Sequence, residues 1–216
     1  MKGFDFMSLE SMKNNLIGSS VDINTLSKEN TAFIVVDMVN GFVREGAFAS
    51  KRVEQIVPEL VKLNNAFKDF KKVFFLDSHS QNASEFNFYV EHCIEGSSEA
   101  KLISELDDET VNTNATFINK NSTNGALEEE FQDWLKRNEN ITNFVVGGCI
   151  TEVCVMQFVL TLLCLYNKLN KKVRIIVPMN IVDTFDAPGH NAEMINTFAF
   201  NNMKQNGIEV IDTINI

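Results

Sequence analysis

The segment Gly147-Gly148-Cys149-Ile150-Thr151-Glu152-Val153-Cys154-Val155 closes one apolar run and opens another. A cysteine in the first turn of a helix lies among unpaired backbone N–H groups at the positive end of the helix dipole, and both favour a thiolate. Cys154 therefore reads as a nucleophile. Such a nucleophile needs a cation nearby and a group that moves protons. Asp37 ends one apolar run, Asp77 with His79 ends the next, and Lys120 follows a third. If these ends converge on one mouth, a cysteine, a lysine and two aspartates meet there as nucleophile, cation and acid/base.

The positioning elements are legible as two kinds of run. Short, nearly continuous apolar stretches at 31–37, 73–77, 115–119, 143–147, 173–177 and 208–211 read as strands buried on both faces, as in a parallel sheet. Longer helical stretches at 50–70, 98–106, 126–137, 152–166 and 190–205 separate them. This alternation predicts an α/β fold, a three-layer doubly wound sheet of about six mostly parallel strands with helices on both faces. In such a sheet ligands sit beyond the carboxyl ends of the strands. Residues 1–30 are more polar and read as an N-terminal arm or helix, leaving 31–216 as a single domain.

Composition narrows the class of partner. The chain has 216 residues, 44% of them hydrophobic, and a formal net charge of −10. That charge opposes nucleic acid and anionic membrane surfaces, so a small-molecule substrate fits better, and a homo-oligomer stays open. Four cysteines without framework spacing, and no apolar leader near Met1, point to a reduced, cytoplasmic protein. The longest apolar run, 153–166, is interrupted by Gln157 and Thr161 and is too short to span a bilayer.

Asp37 in IVVDMVNGF, Lys120 in NKNSTNGAL and the segment GCITEVCV at 148–155 resemble the three signature segments of the isochorismatase-like cysteine hydrolases. Within that superfamily, Asp77-Ser78-His79 followed by His92-Cys93-Ile94-Glu95-Gly96 is similar to the D-x-H and H-C-x-x-G segments of nicotinamidases. The resemblance implies that Cys154 attacks a carboxamide, that Lys120 supplies positive charge, and that Asp37 moves the protons. It further implies a cis peptide at Cys149–Ile150, with the amides of Ile150 and Cys154 receiving the oxyanion. Asp77, His79 and His92 would hold a divalent metal, Zn foremost with Mn or Fe as alternatives, and Glu85 would be the fourth ligand with Glu91 as its competitor. Phe42 and Tyr89 would flank a flat aromatic ring.

Some residues depart from that pattern. Phe88-Tyr89-Val90-Glu91 stands where many nicotinamidases carry prolines and a tryptophan, and Gly41 stands where relatives commonly have an acid. The alternative is a metal-free relative acting on another small amide or carbamoyl compound; a non-catalytic binding protein is the third reading. An isochorismate-cleaving enzyme is disfavoured, because those relatives lack the nucleophilic cysteine. Cys93, Cys149 and Cys164 read as structural, with Cys164 in the core, as do Phe198, Phe200 and Met203. His190, in Asp186-Ala187-Pro188-Gly189-His190, reads as a helix-start residue without a ligand role, and Glu128 to Glu130 as a solvated face.

Overall fold

A computed structural model describes residues 9–216. In chain order the elements are α1 (Leu9–Asn14), β1 (Ser20–Asp22), β2 (Thr31–Val36), α2 (Asn40–Val43), α3 (Lys51–Gln55), α4 (Val57–Ala66), β3 (Lys71–Asp77), β4 (Ala115–Lys120), α5 (Glu129–Arg137), β5 (Asn143–Gly148), α6 (Met156–Lys168), β6 (Arg174–Pro178), α7 (Ala192–Gln205), β7 (Glu209–Ile211) and β8 (Thr213–Asn215). β2 is buried at every position. Its alternate residues serve two cores: Ala32, Ile34 and Val36 pack with Phe131, Phe158 and Met203 on one face, while Phe33 and Val35 pack with Leu60 and Phe67 on the other. A strand that feeds two apolar layers has no solvent face, and this explains its uninterrupted hydrophobic run.

Six strands form one sheet in the order β4-β3-β2-β5-β6-β7. Every pairing in it is parallel. The chain thus winds outward from β2 through β3 to β4, then returns to the other side of β2 and continues through β5 to β7. The direction changes between β2 and β5, where a doubly wound sheet opens a crevice at its carboxyl edge. Gly148 ends β5 with φ 119°, and a Cβ there would lie 2.0 Å from the Val36 carbonyl oxygen, so only glycine lets the two strands approach this closely.

Several expected elements differ. The helical stretch 50–70 divides at Ile56 into α3 and α4, with Pro58 in the first turn of α4, where its missing N–H is tolerated. The stretch 98–106 keeps one short helical turn, Ser104–Leu106. Its backbone is used elsewhere: Asn40 and Gly41 donate to the carbonyls of Lys101 and Glu99, and Ile103 donates to Met38. Of the expected arm, residues 1–8 lie outside the described residues. The remainder forms α1, where Asn201 Nδ2 of α7 donates to the Met12 carbonyl, and β1, which pairs in parallel with β8. Cys164 and Phe198 are exposed rather than core, because α6 turns Phe158, Val159, Leu162 and Tyr166 inward and α7 turns Ala199, Phe200 and Met203 inward. Among the described residues no helix is long and apolar enough to cross a membrane.

Candidate active site

The carboxyl ends of β2, β3, β4 and β5 bring the expected residues together. Asp37, Asp77, His79, His92, Lys120 and Cys154 are all buried. Asp37 takes a left-handed conformation, φ 53°, immediately after β2, and its backbone N–H donates to the Phe75 carbonyl at 3.0 Å. Aspartate tolerates that conformation better than a bulky residue does. Lys120 is the last residue of β4, and its ammonium lies 2.9 Å from Asp37 Oδ2 and 3.8 Å from Cys154 Sγ. It also donates to Asp77 Oδ1 and, at 3.0 Å, to the Ser122 carbonyl.

Charge in this cluster is set by burial against pairing. Burial pushes the Asp37 carboxyl up to about 7; the Lys120 ammonium opposes this and Asp77 adds to it. Neither Asp37 carboxylate oxygen receives a well-directed hydrogen bond, so the group is buried with unused acceptor capacity. Burial would push Asp77 up as well, but Lys120, His79 and His92 outweigh it and hold Asp77 well below the usual carboxylate range. Lys120 is held well above its ordinary value, since Asp37 and Asp77 overcome the penalty of burial.

Cys154 corrects one expectation. The helix-start turn is a π-helical turn, Thr151–Val155, that leads into α6, and the peptide Cys149–Ile150 is cis. Burial, reinforced by Asp37 and Asp77, pushes the Cys154 thiol well above its ordinary value despite Lys120. Burial therefore favours the thiol form. A dipole at a helix terminus cannot offset removal of the sulfur from water beside two carboxylates. A thiolate nucleophile here would therefore need a proton acceptor within the site, and Asp37 is the candidate.

Asp77, His79 and His92 each offer a ligand atom, and these atoms lie within 4.8 Å of one another. His79 Nε2 and His92 Nε2 approach Asp77 Oδ2 at 3.0 and 3.2 Å. The other ring nitrogens face acceptors: His79 Nδ1 lies 3.3 Å from Asn121 Oδ1, and His92 Nδ1 lies 2.8 Å from the Val90 carbonyl. Those acceptors favour the Nδ1–H tautomers, which direct two Nε2 lone pairs and a carboxylate oxygen at one point. Lone pairs converging on one point repel unless a proton or a cation lies between them, and one carboxylate with two imidazoles fits a divalent metal. Glu85 Oε1 is 3.9 Å from His79 Nε2, beside the group rather than within it, and Glu91 is exposed.

A cleft of about 480 Å³, mouth included, opens onto the cluster. Phe42, Tyr89, Glu85 and Ile150 line it together with Asp77, His92 and Cys154. Phe48, Thr123, Val153 and Phe185 also line it and were not foreseen. Phe48 packs edge-on against His92 and Tyr89, at centroid distances of 4.8 and 6.1 Å, and stacks with Phe42 at 6.2 Å. Phe48 follows β2 and Phe185 follows β6, so the rule that ligands lie beyond strand carboxyl ends was the signal that could have flagged both loops.

The sequence matches the isochorismatase domain family over residues 31–215. It is 32% identical over 183 residues to Nicotinamidase 1 of Arabidopsis thaliana, covering 77% of this chain and 74% of that protein. The fold is similar to that of an isochorismatase-like hydrolase from Alkaliphilus metalliredigens, with a TM-score of 0.71, 21% identity, and coverage of 84% of this chain and 94% of that one. It is also similar to a nicotinamidase/pyrazinamidase from Bacillus subtilis, with a TM-score of 0.69, 23% identity, and coverage of 86% and 100%. A pyrazinamidase of Pyrococcus horikoshii solved in complex with zinc gives a TM-score of 0.68 at 21% identity, over 87% of this chain and 99% of that one. With the strand-end cluster and the cleft above it, these matches establish that the chain belongs to the isochorismatase family of hydrolases.

Proposed function

We propose that the protein is a metal-containing nicotinamidase that converts nicotinamide to nicotinic acid and ammonia. The observation that carries this reading is the buried Asp37–Lys120–Cys154 cluster opening into an aromatic-walled cleft beside Asp77, His79 and His92. The relative named as a nicotinamidase supports the choice of substrate.

The chemistry follows from the charges. Asp37 takes the Cys154 proton as the sulfur attacks the carboxamide carbon, and the carbonyl π electrons move to oxygen. Lys120 stabilises the emerging thiolate, and the backbone amides of Ile150 and Cys154 receive the oxyanion. The tetrahedral adduct collapses, the C–N bond breaks, and Asp37 returns its proton to the departing nitrogen, releasing ammonia. Water, deprotonated by Asp37, then attacks the thioester; the C–S bond breaks and Cys154 regains its proton as nicotinic acid leaves. Asp77, His79 and His92 would hold the metal, Zn²⁺ by the chemistry of one carboxylate and two imidazoles, with Glu85 at its edge. When bound, the metal supplies a Lewis-acid anchor for the pyridine nitrogen or for water around it. Phe42, Phe48 and Tyr89 would enclose the ring.

Ammonia release from a panel of nicotinamide, pyrazinamide, an aliphatic amide and a carbamoyl amine, with metal analysis on the same sample, tests the reading. Turnover of the two ring amides by a metal-loaded protein is expected. Turnover of the carbamoyl compound alone, without stoichiometric metal, would sink it.

A further inference from the structure

We propose that His190 is a positioning residue that fixes Phe185 as one wall of the cleft and ties that wall to the turn carrying Cys154. The inference rests on the amide-hydrolase reading and deepens it, since it concerns how the cleft accepts a ring.

Ala187-Pro188-Gly189-His190 forms a tight turn in which His190 N donates to the Ala187 carbonyl at 2.8 Å, and Ala187 N donates back to the His190 carbonyl at 3.0 Å. Proline at the second position and Gly189 with φ 83° at the third suit a type II turn. The turn delivers one imidazole to three contacts. Nε2 lies 2.9 Å from Glu152 Oε1, Nδ1 lies 2.9 Å from the Phe185 carbonyl, and the ring stacks on the Phe185 ring at 4.0 Å with an interplanar angle of 8°. Glu152 stands two residues before Cys154, and its Oε1 also accepts from Thr184 Oγ1 at 3.1 Å. Phe185 lines the cleft with Cys154, Ile150 and Val153. A single side chain therefore joins the pocket wall to the nucleophile's turn.

The loop's ends are anchored without His190. Asp183 Oδ1 accepts from Thr184 N at 2.8 Å, from Asn196 Nδ2 at 2.7 Å and from Arg52 at 3.1 Å, and Asp186 Oδ1 accepts from Ala192 N at 2.8 Å. Removing the imidazole should then release the Phe185 ring while leaving the loop in place. The ring loses its stacking partner and the cleft loses a defined wall.

Protection of Cys154 from iodoacetamide by pyridine-3-carboxylate, followed by site-localised mass spectrometry on the full chain, reads this directly. In His190→Ala and in Phe185→Ala the half-protecting concentration should rise about 3- to 10-fold, the range expected for a lost aromatic contact. The double variant should rise no further than the larger single effect, because His190 acts through Phe185. The alkylation rate without protectant should stay within about twofold of the wild type in His190→Ala, a readout that general loosening of the fold would move. An unchanged half-protecting concentration in His190→Ala, or effects that multiply in the double variant, overturns the inference alone. A wild-type Cys154 that the pyridine acid does not protect overturns the nicotinamidase reading and this inference with it.

Discussion

At the scale of single residues, the proposed chemistry turns on a raised carboxyl and a raised thiol. Asp37 reaches about 7 through burial, opposed by Lys120, whereas Cys154 is pushed well above its ordinary value. A base that must be ionised therefore limits the acid side, and kcat/KM for nicotinamide should fall tenfold per pH unit below about 7, with a macroscopic value belonging to the whole cluster. A flat profile down to pH 5 would contradict the assignment of Asp37 as base. The same shift has a stability sign. A carboxyl raised in the folded state contributes stability that is present below its unfolded value near 4 and lost as pH rises through about 7. Cys154→Ala should abolish ammonia release while leaving the circular dichroism spectrum unchanged, and appreciable residual turnover would refute the nucleophile. The convergence of Asp37, Lys120 and Cys154 was legible because Asp37 and Lys120 close apolar runs and Cys154 stands near the start of one. The direction of the Cys154 shift was not, since a helix dipole can be read locally whereas burial at 5% exposure beside two carboxylates is a product of the fold.

At the scale of elements, strands were easier to read than helices. β2 and β5 are buried on both faces, so their apolar runs carry an unambiguous signal, whereas the stretch 98–106 has helix-compatible residues whose backbone groups pair with Met38 and the start of α2. β1 and β8 went unforeseen because each is three residues long and has one buried position at its centre. Two positions show what the elements cost to alter. A Cβ on Gly148 would meet Val36 backbone atoms, which cannot swing aside, at a φ of 119° that side chains avoid. Gly148→Ala should therefore destabilise by about 3 kcal/mol or more, measured by urea unfolding, and a loss below about 1 kcal/mol would contradict the close approach of β2 and β5. Lys72 is fully buried in β3, and its ammonium donates to Asn64 O, Asn64 Oδ1 and Val111 O at 2.9, 2.7 and 3.0 Å. These bonds tie β3 to α4 and to the segment before β4. Lys72→Met keeps the aliphatic stem but strands those oxygens, at a cost of about 1–3 kcal/mol in the same assay.

At the scale of the whole molecule, the sheet order puts the Cys154 turn and the metal-type donor set beyond the two strands that flank β2. β3 carries Asp77, the loop beyond it carries His79 and His92, and β5 leads to Cys154. Lys120 bridges both halves by contacting Asp37, Asp77 and Cys154. A cation held at Asp77, His79 and His92 would bind the folded chain, which assembles those three groups, and not the unfolded chain, which separates them. Binding to the folded state alone stabilises by about 2.7 kcal/mol when the metal stands at 100 times its Kd. For a chain of this size each kcal/mol shifts Tm by about 2–4 °C, so dialysis against a chelator should lower Tm by about 5–11 °C, and restoring Zn²⁺ should reverse it. Asp77→Ala removes the carboxylate to which both imidazoles point, and its Tm should no longer respond to chelator or to added metal. A wild-type Tm indifferent to chelation, or an Asp77→Ala protein that still responds in full, would show that the three side chains do not hold a stabilising cation, leaving their converging lone pairs to be satisfied by protons.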